Sequence, residues 1–311
     1  MHILITGGTG FIGQALVNTL LALNHQVTII SRQNPDAVKA LFVHPYDRPA
    51  VLNQKLLVSS LSAMDTQCHY DVVVNLAGEG IMDKRWTDQR KQILSDSRIA
   101  LTTQLISRLK QLPTPPNVFV SASAIGFYGS QPGNAVLTES SPAGRDFPAH
   151  LCAQWEQAAQ QAESLEPMRI CILRIGVVLH PSGGALKKML PAFRIGLGGP
   201  LGNGQQIMPW IHRDDVVSAL LFLISHHISG IFNATAPYPV TNREFTKTLG
   251  RTLNRPAFFR VPKSLLKLGL GEASVLLTGG QSVIPKRLQQ EGFTFSFPLL
   301  PEALNHLLKQ G

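Results

Sequence analysis

The chain has 311 residues, 44% of them apolar, enough for a large buried core in one domain or two closely associated ones. Its net charge of +9 favours anionic ligands, but the lysines and arginines are scattered and form no stripe that would mark a nucleic-acid-binding module. Cys68, Cys152 and Cys171 form no CxxC and lack metal-ligand spacing, which argues against a disulfide framework and against a metal site.

The first element predicted is a short buried strand, His2-Ile3-Leu4-Ile5-Thr6. Gly7, Gly8, Gly10 and Gly13 follow, and Phe11, Ile12, Leu16, Val17 and Leu20 then mark an amphipathic helix. Strand, glycine turn and helix are the context in which such a motif binds a dinucleotide. Gly7 permits the sharp turn, Gly10 removes a side chain that would block the pyrophosphate, and Gly13 lets the helix lie close to the sheet. Free N–H groups around Phe11 and Ile12 would hold phosphates. Val27 to Ser31 is the second strand. Arg32 follows it where NAD-specific sites commonly carry an acid, so Ser31 and Arg32 favour NADP(H) over NAD(H), with Arg32 reaching a 2′-phosphate. Asp36 is the remaining acidic candidate, and Pro35 suggests that it lies in a turn.

Short strands are expected at 41–43 and 56–58, and a clearer one at 70–75. At the end of the latter, Asn75, Ala77 and Gly78 would let a cofactor approach the backbone. Glu79, Arg85 and Trp86 lie just beyond and are candidate pocket residues, Arg85 for an anionic group and Trp86 as a wall. Thr87 is the expected cap of a long helix that Ser95 to Ser97 could perturb, and a strand begins near Asn117. Strands at 169–174 and 231–234 follow. Ser182 is an expected cap for a helix through Leu186, Leu190 and Phe193, and Thr241 for one through Phe245 and Leu249. The glycine-rich loop 198–204 lacks a phosphate-loop lysine; Gly199, with Gln206 beyond it, is read as a pliable substrate-side wall. In Trp210-Ile211-His212-Arg213-Asp214-Asp215, Trp210 lines the pocket, and His212 and Asp215 have the spacing to orient one another, as a proton relay or as fold support.

Five segments carry a family resemblance: GGTGFIG at 7–13, LAGEGIMDKRW at 76–86, SASAIGFYG at 121–129, the long run from Gly176 to Asp215, and PKRLQQEGFTF at 285–295. Together they resemble the atypical epimerase family of extended short-chain dehydrogenases/reductases, an NAD-dependent epimerase/dehydratase-like group also described as family 39U or cell-division-inhibitor-like. The resemblance runs essentially from end to end. It implies an α/β fold, a Rossmann-like doubly wound parallel sheet with a smaller, interleaved α/β substrate region. Residues 1–175 would be mainly the dinucleotide-binding domain and 176–311 mainly the substrate region, with elements near 205–235 returning to the core.

In extended reductases a serine or threonine after the fifth strand polarises the substrate carbonyl. Ser123 is the nearest equivalent, although alignment on Tyr128 puts Ala124 at that position. By the same resemblance Ser121 contacts nicotinamide or supports the loop, and Tyr128 is a structural and pocket-lining tyrosine that does not donate a proton. The family of folds then places a catalytic tyrosine and lysine four residues apart. Alignment on Glu156 puts Pro148 and Cys152 there, and neither reproduces the chemistry. Cys152 is then a nucleophile or a packing residue, and His150 and His212 are the candidate replacement acids. The leading expectation is an atypical NADP-binding oxidoreductase or nucleotide-sugar epimerase-like enzyme with a small anionic or polyhydroxylated substrate. The alternative is a catalytically silent NADP(H)-binding sensor or scaffold. No signal-peptide pattern and no membrane-length apolar stretch are present, so the expected setting is cytoplasmic, as a monomer or homodimer with no membrane or specific nucleic-acid partner.

Overall fold

The computed structural model describes residues 1–42, 54–131 and 135–309. Seven strands form its main sheet: β1 (His2–Thr6), β2 (Gln26–Ile30), β3 (Leu56–Ser59), β4 (Val72–Asn75), β5 (Val118–Ala124), β6 (Arg169–Ile175) and β7 (Gly230–Ala234). Their order is β7-β6-β5-β4-β1-β2-β3, with every pairing parallel. A parallel sheet covered by helices on both faces needs near-continuous apolar strands. Ile3, Leu4 and Ile5 in β1 and Val72, Val73 and Val74 in β4 meet that need, all of them buried. The chain runs outward one way through β2 and β3 and the other way from β4 to β7. This doubly wound sheet therefore has its switch point between β1 and β4, where such sheets open a crevice at the strand carboxyl ends.

The expected strand at 41–43 does not form over its described part. Leu41 and Phe42 instead form a turn that closes the helix Pro35–Ala40, their N–H groups bonded to the Val38 and Lys39 carbonyls. Asn34 caps that helix through Asp36 and Ala37, which places Asp36 on an exposed first turn; Val43 lies outside the described residues.

Thr87 caps the helix Asp88–Ser95 as expected, accepting from Arg90 N–H. The helix then widens into a π-turn at Asp96–Ala100 before resuming as Leu101–Leu109. The cause is local. Ser97 Oγ and Arg98 Nη1 both donate to the Leu94 carbonyl and compete with the regular backbone ladder.

Helix Phe147–Gln160 is capped by Asp146 and buries Cys152, Trp155 and Glu156 against the sheet. Ser182 is not the cap of helix Gly184–Arg194. The extended Gly183 and left-handed Gly184 start that helix, and Ser182 Oγ turns to His180 Nδ1. Thr241 does cap Asn242–Thr252, whose Phe245 and Leu249 share a second core with Leu190, Phe193, Trp210 and Leu304. Strand Trp210–His212 pairs in parallel with Val177–His180 beside this core. Arg287 then ties the carboxyl-terminal segment to the sheet edge through the carbonyls of Ile231 and Ser229.

Candidate cofactor and substrate site

The glycine turn sits at the switch point. Gly7 has φ of +69°, and a Cβ on it would fall 2.6 Å from the Leu76 carbonyl carbon, so the turn lies directly on the chain leaving β4. A Cβ on Gly13 would come within 2.1 Å of the Gly7 oxygen, which fixes the helix against the turn. Gly10 differs. It heads helix Phe11–Ala22 without a side-chain cap, and a Cβ there would meet only the Gly7 oxygen, at 3.1 Å. The helix start therefore has no side-chain cap, and its first-turn N–H groups suit an anion. The Phe11 ring packs on Gly183 and Gly184.

Beneath the turn runs a chain of buried polar groups. Thr6 Oγ1 donates to Asn75 Oδ1 at 2.6 Å, and Asn75 Nδ2 donates to Thr102 Oγ1 and Ser121 Oγ. Ser121 in turn donates to the Ala122 carbonyl. The side chains of Asn75 and Ser121 are thus committed to the interior. Of the two roles open to Ser121, the hydroxyl has the supporting one, and Asn75 braces the loop whose Leu76 and Ala77 backbone faces Gly7.

At the end of β2 the Ser31 hydroxyl accepts from Gln33 N–H, while the Arg32 side chain is 92% exposed. Arg32 lies 3.8 Å from Glu79 Oε1, and Glu79 Oε2 accepts from the buried Arg90 at 3.2 Å. Glu79, expected among the substrate residues, is therefore held at the Arg32 side of the crevice.

A closed ion-pair cluster joins β5 and β6 to the helix Phe147–Gln160, with Glu156 one helical turn beyond Cys152. Ser123, Arg174 and Asn233 are register partners on β5, β6 and β7. Arg174 meets Glu156 at two points, Nε to Oε1 and Nη2 to Oε2, both 2.8 Å. Ser123 Oγ donates to the same carboxylate at 2.6 Å. Arg174 Nη1 donates to the Tyr128 hydroxyl, which donates onward to Asn233 Oδ1. Burial raises the Tyr128 phenol above its ordinary range despite the adjacent arginine. Ser123 and Tyr128 accordingly face the interior with their protons already placed. The carbonyl-polarising role for Ser123 does not match this geometry; Tyr128, fully buried, has the geometry of the structural part of its expected role and not of the pocket-lining part.

Cys152 lies on the buried face of its helix. Burial, followed by the Glu156 charge, pushes its thiol up to about 12, so it is a neutral packing group rather than a nucleophile. His150 projects from the exposed side of the same helix.

His212 is fully buried. Its Nδ1 accepts from Asp214 N–H and caps helix Arg213–Ser225, so its proton is on Nε2, 3.2 Å from His306 Nδ1. Its ring stacks on Phe297 at 4.0 Å. Burial lowers its pKa to about 4, which corrects the expectation of a group titrating near neutrality. Nor does it pair with Asp215, whose two oxygens accept from Ser296 and Phe297 N–H and pin the carboxyl-terminal segment. His212, Asp214 and His306 place one ligand-type atom each within 4.8 Å of one another, but hydrogen bonds already occupy both His212 nitrogens.

The remaining expected wall residues are mostly packed. Trp86 is core, its ring edge-on to Phe147 at 5.0 Å and its indole N–H on the Ile81 carbonyl. Trp210 is fully buried, and Gln206 is held by the carbonyls of Leu201 and Leu277. Gly199 is pressed on the Phe259 backbone, which removes the pliability expected there. Arg85 remains exposed and lies over Gly271. A cavity of about 590 Å³ opens farther along, lined by Gly202, Asn203, Arg260, Pro262, Lys263 and Ser264.

The sequence profile of the NAD dependent epimerase/dehydratase family matches residues 3–234. The chain belongs to this family. A second profile, a domain of unknown function called DUF1731, matches residues 261–307. Among the chain's relatives in the epimerase family are the SDR39U1 proteins. It is 39% identical to the one from Bos taurus over 99% of this chain and 100% of that one. It is 35% identical to the chloroplastic homologue of Arabidopsis thaliana, over 99% of this chain and 87% of that one. The crystal structure of the human epimerase family protein SDR39U1 (isoform 2) with NADPH has a TM-score of 0.88 at 34% identity, covering 100% of both chains.

One residue packed against the strand-end loop is not singled out by the sequence pattern. Arg98, on the π-turn, lays its guanidinium against Gly78, where a Cβ would stand 3.0 Å from Cζ. A signal was present: Arg98 falls four residues after Leu94 and four before Thr102, both buried, and so lies on the inward stripe of its helix.

Proposed function

We propose that this protein binds NADP(H) in preference to NAD(H) and acts as an atypical oxidoreductase or nucleotide-sugar epimerase-like enzyme on a small anionic or polyhydroxylated molecule. The observation that carries the reading is the pairing of an uncapped, side-chain-free helix start at Gly10 with an exposed Arg32 at the end of the neighbouring strand. The residues fit the cofactor. N–H groups at Phe11 and Ile12 would take the pyrophosphate, and Arg32 a 2′-phosphate. Ser31 supplies no carboxylate for a ribose diol. The NADPH in the human relative's crystal structure supports the same choice.

Bound there, the cofactor supplies hydride transfer. The chain's own residues position it and exclude water around it. With Ser123 bonded to Glu156 and His212 capping its helix, the proton must come from another source, an ordered water being the simplest. Arg260 and Lys263 at the mouth of the cavity near Gly202 favour a negatively charged substrate portion.

Titrating NADPH and NADH by nicotinamide fluorescence tests the cofactor: NADPH should bind more tightly, and equal affinities or an NADH preference would refute it. Turnover is tested by cofactor oxidation with carbonyl compounds and by solvent-deuterium exchange into nucleotide sugars. A protein that binds NADPH yet does neither would fit the second reading, a silent NADP(H) sensor. The observation favouring that reading is that Ser123, the nearest equivalent of the carbonyl-polarising serine, is bonded into the structural Glu156–Arg174 ion pair.

A further inference from the structure

Arg98 is a largely buried cation whose hydrogen-bond partners carry no charge. Nη1 donates to the Leu94 carbonyl and to Ser97 Oγ, and Nη2 donates to the Glu79 carbonyl at 2.8 Å. All three acceptors are uncharged. Among the described residues no carboxylate lies within ion-pair distance of Arg98, and its Nε–H has no acceptor. The carboxylate of that same Glu79 turns to Arg90 and Arg32 instead. Trp155 lies 5.3 Å beneath the guanidinium. Burial pulls the Arg98 pKa below the ordinary guanidinium range, with Cys152 and Glu79 opposing the shift and Arg90 adding to it. A desolvated cation with only neutral partners is costly unless a ligand supplies the missing anion.

Its position says which ligand. Gly78 continues the segment that leaves β4 beneath the glycine turn, and the absence of a side chain there is what admits the guanidinium. On another side is Cys152, close enough for Arg98 to lower its thiol pKa and standing at the position that corresponds to the lysine of extended reductases. Arg98 thus lies between the floor of the crevice and the place where the usual catalytic cation is missing.

We infer that Arg98 is the anion-binding residue of the substrate end, taking a carboxylate or comparable oxyanion of the substrate beside the bound cofactor. The inference rests on the NADP(H) reading above and narrows its substrate class to molecules with an acidic group near the reacting carbon. The remaining Nε–H and one Nη2–H form the two-point donor edge that a carboxylate matches. Lysine would keep the charge but lose this fork.

Oxalate serves as the probe, titrated into the NADPH complex of the full chain and followed by nicotinamide fluorescence. The unmodified complex should bind oxalate saturably. Arg98→Gln, whose amide can keep the bond to the Glu79 carbonyl, should weaken oxalate by about tenfold or more and leave NADPH affinity within about twofold. Arg98→Lys should fall between the two. Phenylglyoxal labelling of the unmodified complex, mapped by mass spectrometry, needs no variant: oxalate should protect Arg98. An unmodified complex that ignores oxalate, an Arg98→Gln variant that binds it normally, or the absence of protection would overturn the inference and leave the NADP(H) reading standing. So would an Arg98→Gln variant that loses NADPH but not oxalate, since Arg98 would then serve the cofactor. Failure of the unmodified protein to bind NADPH at all would overturn both.

Discussion

Arg174 and Glu156 meet at two points, 2.8 Å each, with Glu156 one helical turn beyond Cys152. The pair is almost wholly buried, at 2% and 5% exposure, and Ser123, Tyr128 and Asn233 close around it. Removing one partner leaves the other charged and desolvated. Arg174→Met or Glu156→Gln should therefore each cost about 3–5 kcal/mol in chemical denaturation. The double variant should recover part of that loss, because no lone charge remains. Additive losses in the double-mutant cycle would mean that the two residues are not energetically coupled.

His212 gives the stability a defined pH dependence. Its folded pKa is near 4, against 6.5 for an ordinary histidine. Burial is the main cause, with His306, His180 and Arg213 adding repulsion and Asp214 opposing it. Between these values the unfolded chain holds a proton that the folded chain does not. Stability from this residue is thus complete above about pH 6.5 and falls as pH drops toward 4, by at most on the order of 3 kcal/mol. His212→Asn keeps a good capping side chain and removes the titration. Urea unfolding at pH 7.5 and pH 5 should show a smaller pH difference in the variant than in the parent.

Much of the sheet is legible in the sequence because its causes are local. The runs around Ile3–Ile5 and Val72–Val74 are apolar enough only for buried strands, and the glycines at 7, 10 and 13 have no better explanation than the turn they make. The site is less legible because its side chains are claimed by distant partners. Ser123 is bonded to Glu156, 33 positions away, and Tyr128 to Asn233, 105 away. Hydroxyls that look available in sequence are spent across strands. Trp86 and Trp210 read as walls because an aromatic near polar residues suits a pocket, yet both complete a core. Arg98 was hidden for the opposite reason, as a cation in a helix otherwise read from its apolar residues.

Cys152 should be chemically quiet. With its thiol pushed up to about 12 by burial, almost none of it is thiolate at pH 8. Iodoacetamide should label the folded protein at Cys68, the only partly exposed cysteine, and reach Cys152 and Cys171 only after unfolding. Cys152→Ala should keep its NADPH affinity and any turnover. Rapid labelling of native Cys152, or loss of turnover in a folded Cys152→Ala variant, would reinstate covalent chemistry.

Arg32 is the one residue whose loss should separate the two cofactors. It is 92% exposed, and among the described residues its ion-pair partner is Glu79, at 3.8 Å, so its removal should leave the fold unchanged. A charge-assisted bond to a 2′-phosphate contributes about 1.5–3 kcal/mol, so Arg32→Ala should weaken NADPH by roughly 10- to 100-fold. NADH, without that phosphate, should change little. Equal losses for both cofactors would place Arg32 on a part they share.

The glycines offer the sharpest contrast, because one substitution should give opposite results three residues apart. At Gly13 the added methyl of alanine would stand 2.1 Å from the Gly7 oxygen and 2.8 Å from the Gly8 Cα, both backbone atoms that cannot turn aside. Gly13→Ala must push the helix off the turn, and the expected outcome is a strongly destabilised or insoluble protein. At Gly10 the same methyl meets only the Gly7 oxygen, at 3.1 Å, and the backbone there, with φ of −79° and ψ of 176°, suits any residue. Gly10→Ala should therefore fold with a melting temperature close to the parent's. Its methyl would, however, project over the helix start where the pyrophosphate is proposed to sit, and NADPH and NADH should both bind more weakly. A Gly10→Ala variant that is stable and binds both cofactors normally would show that the dinucleotide does not cross this turn.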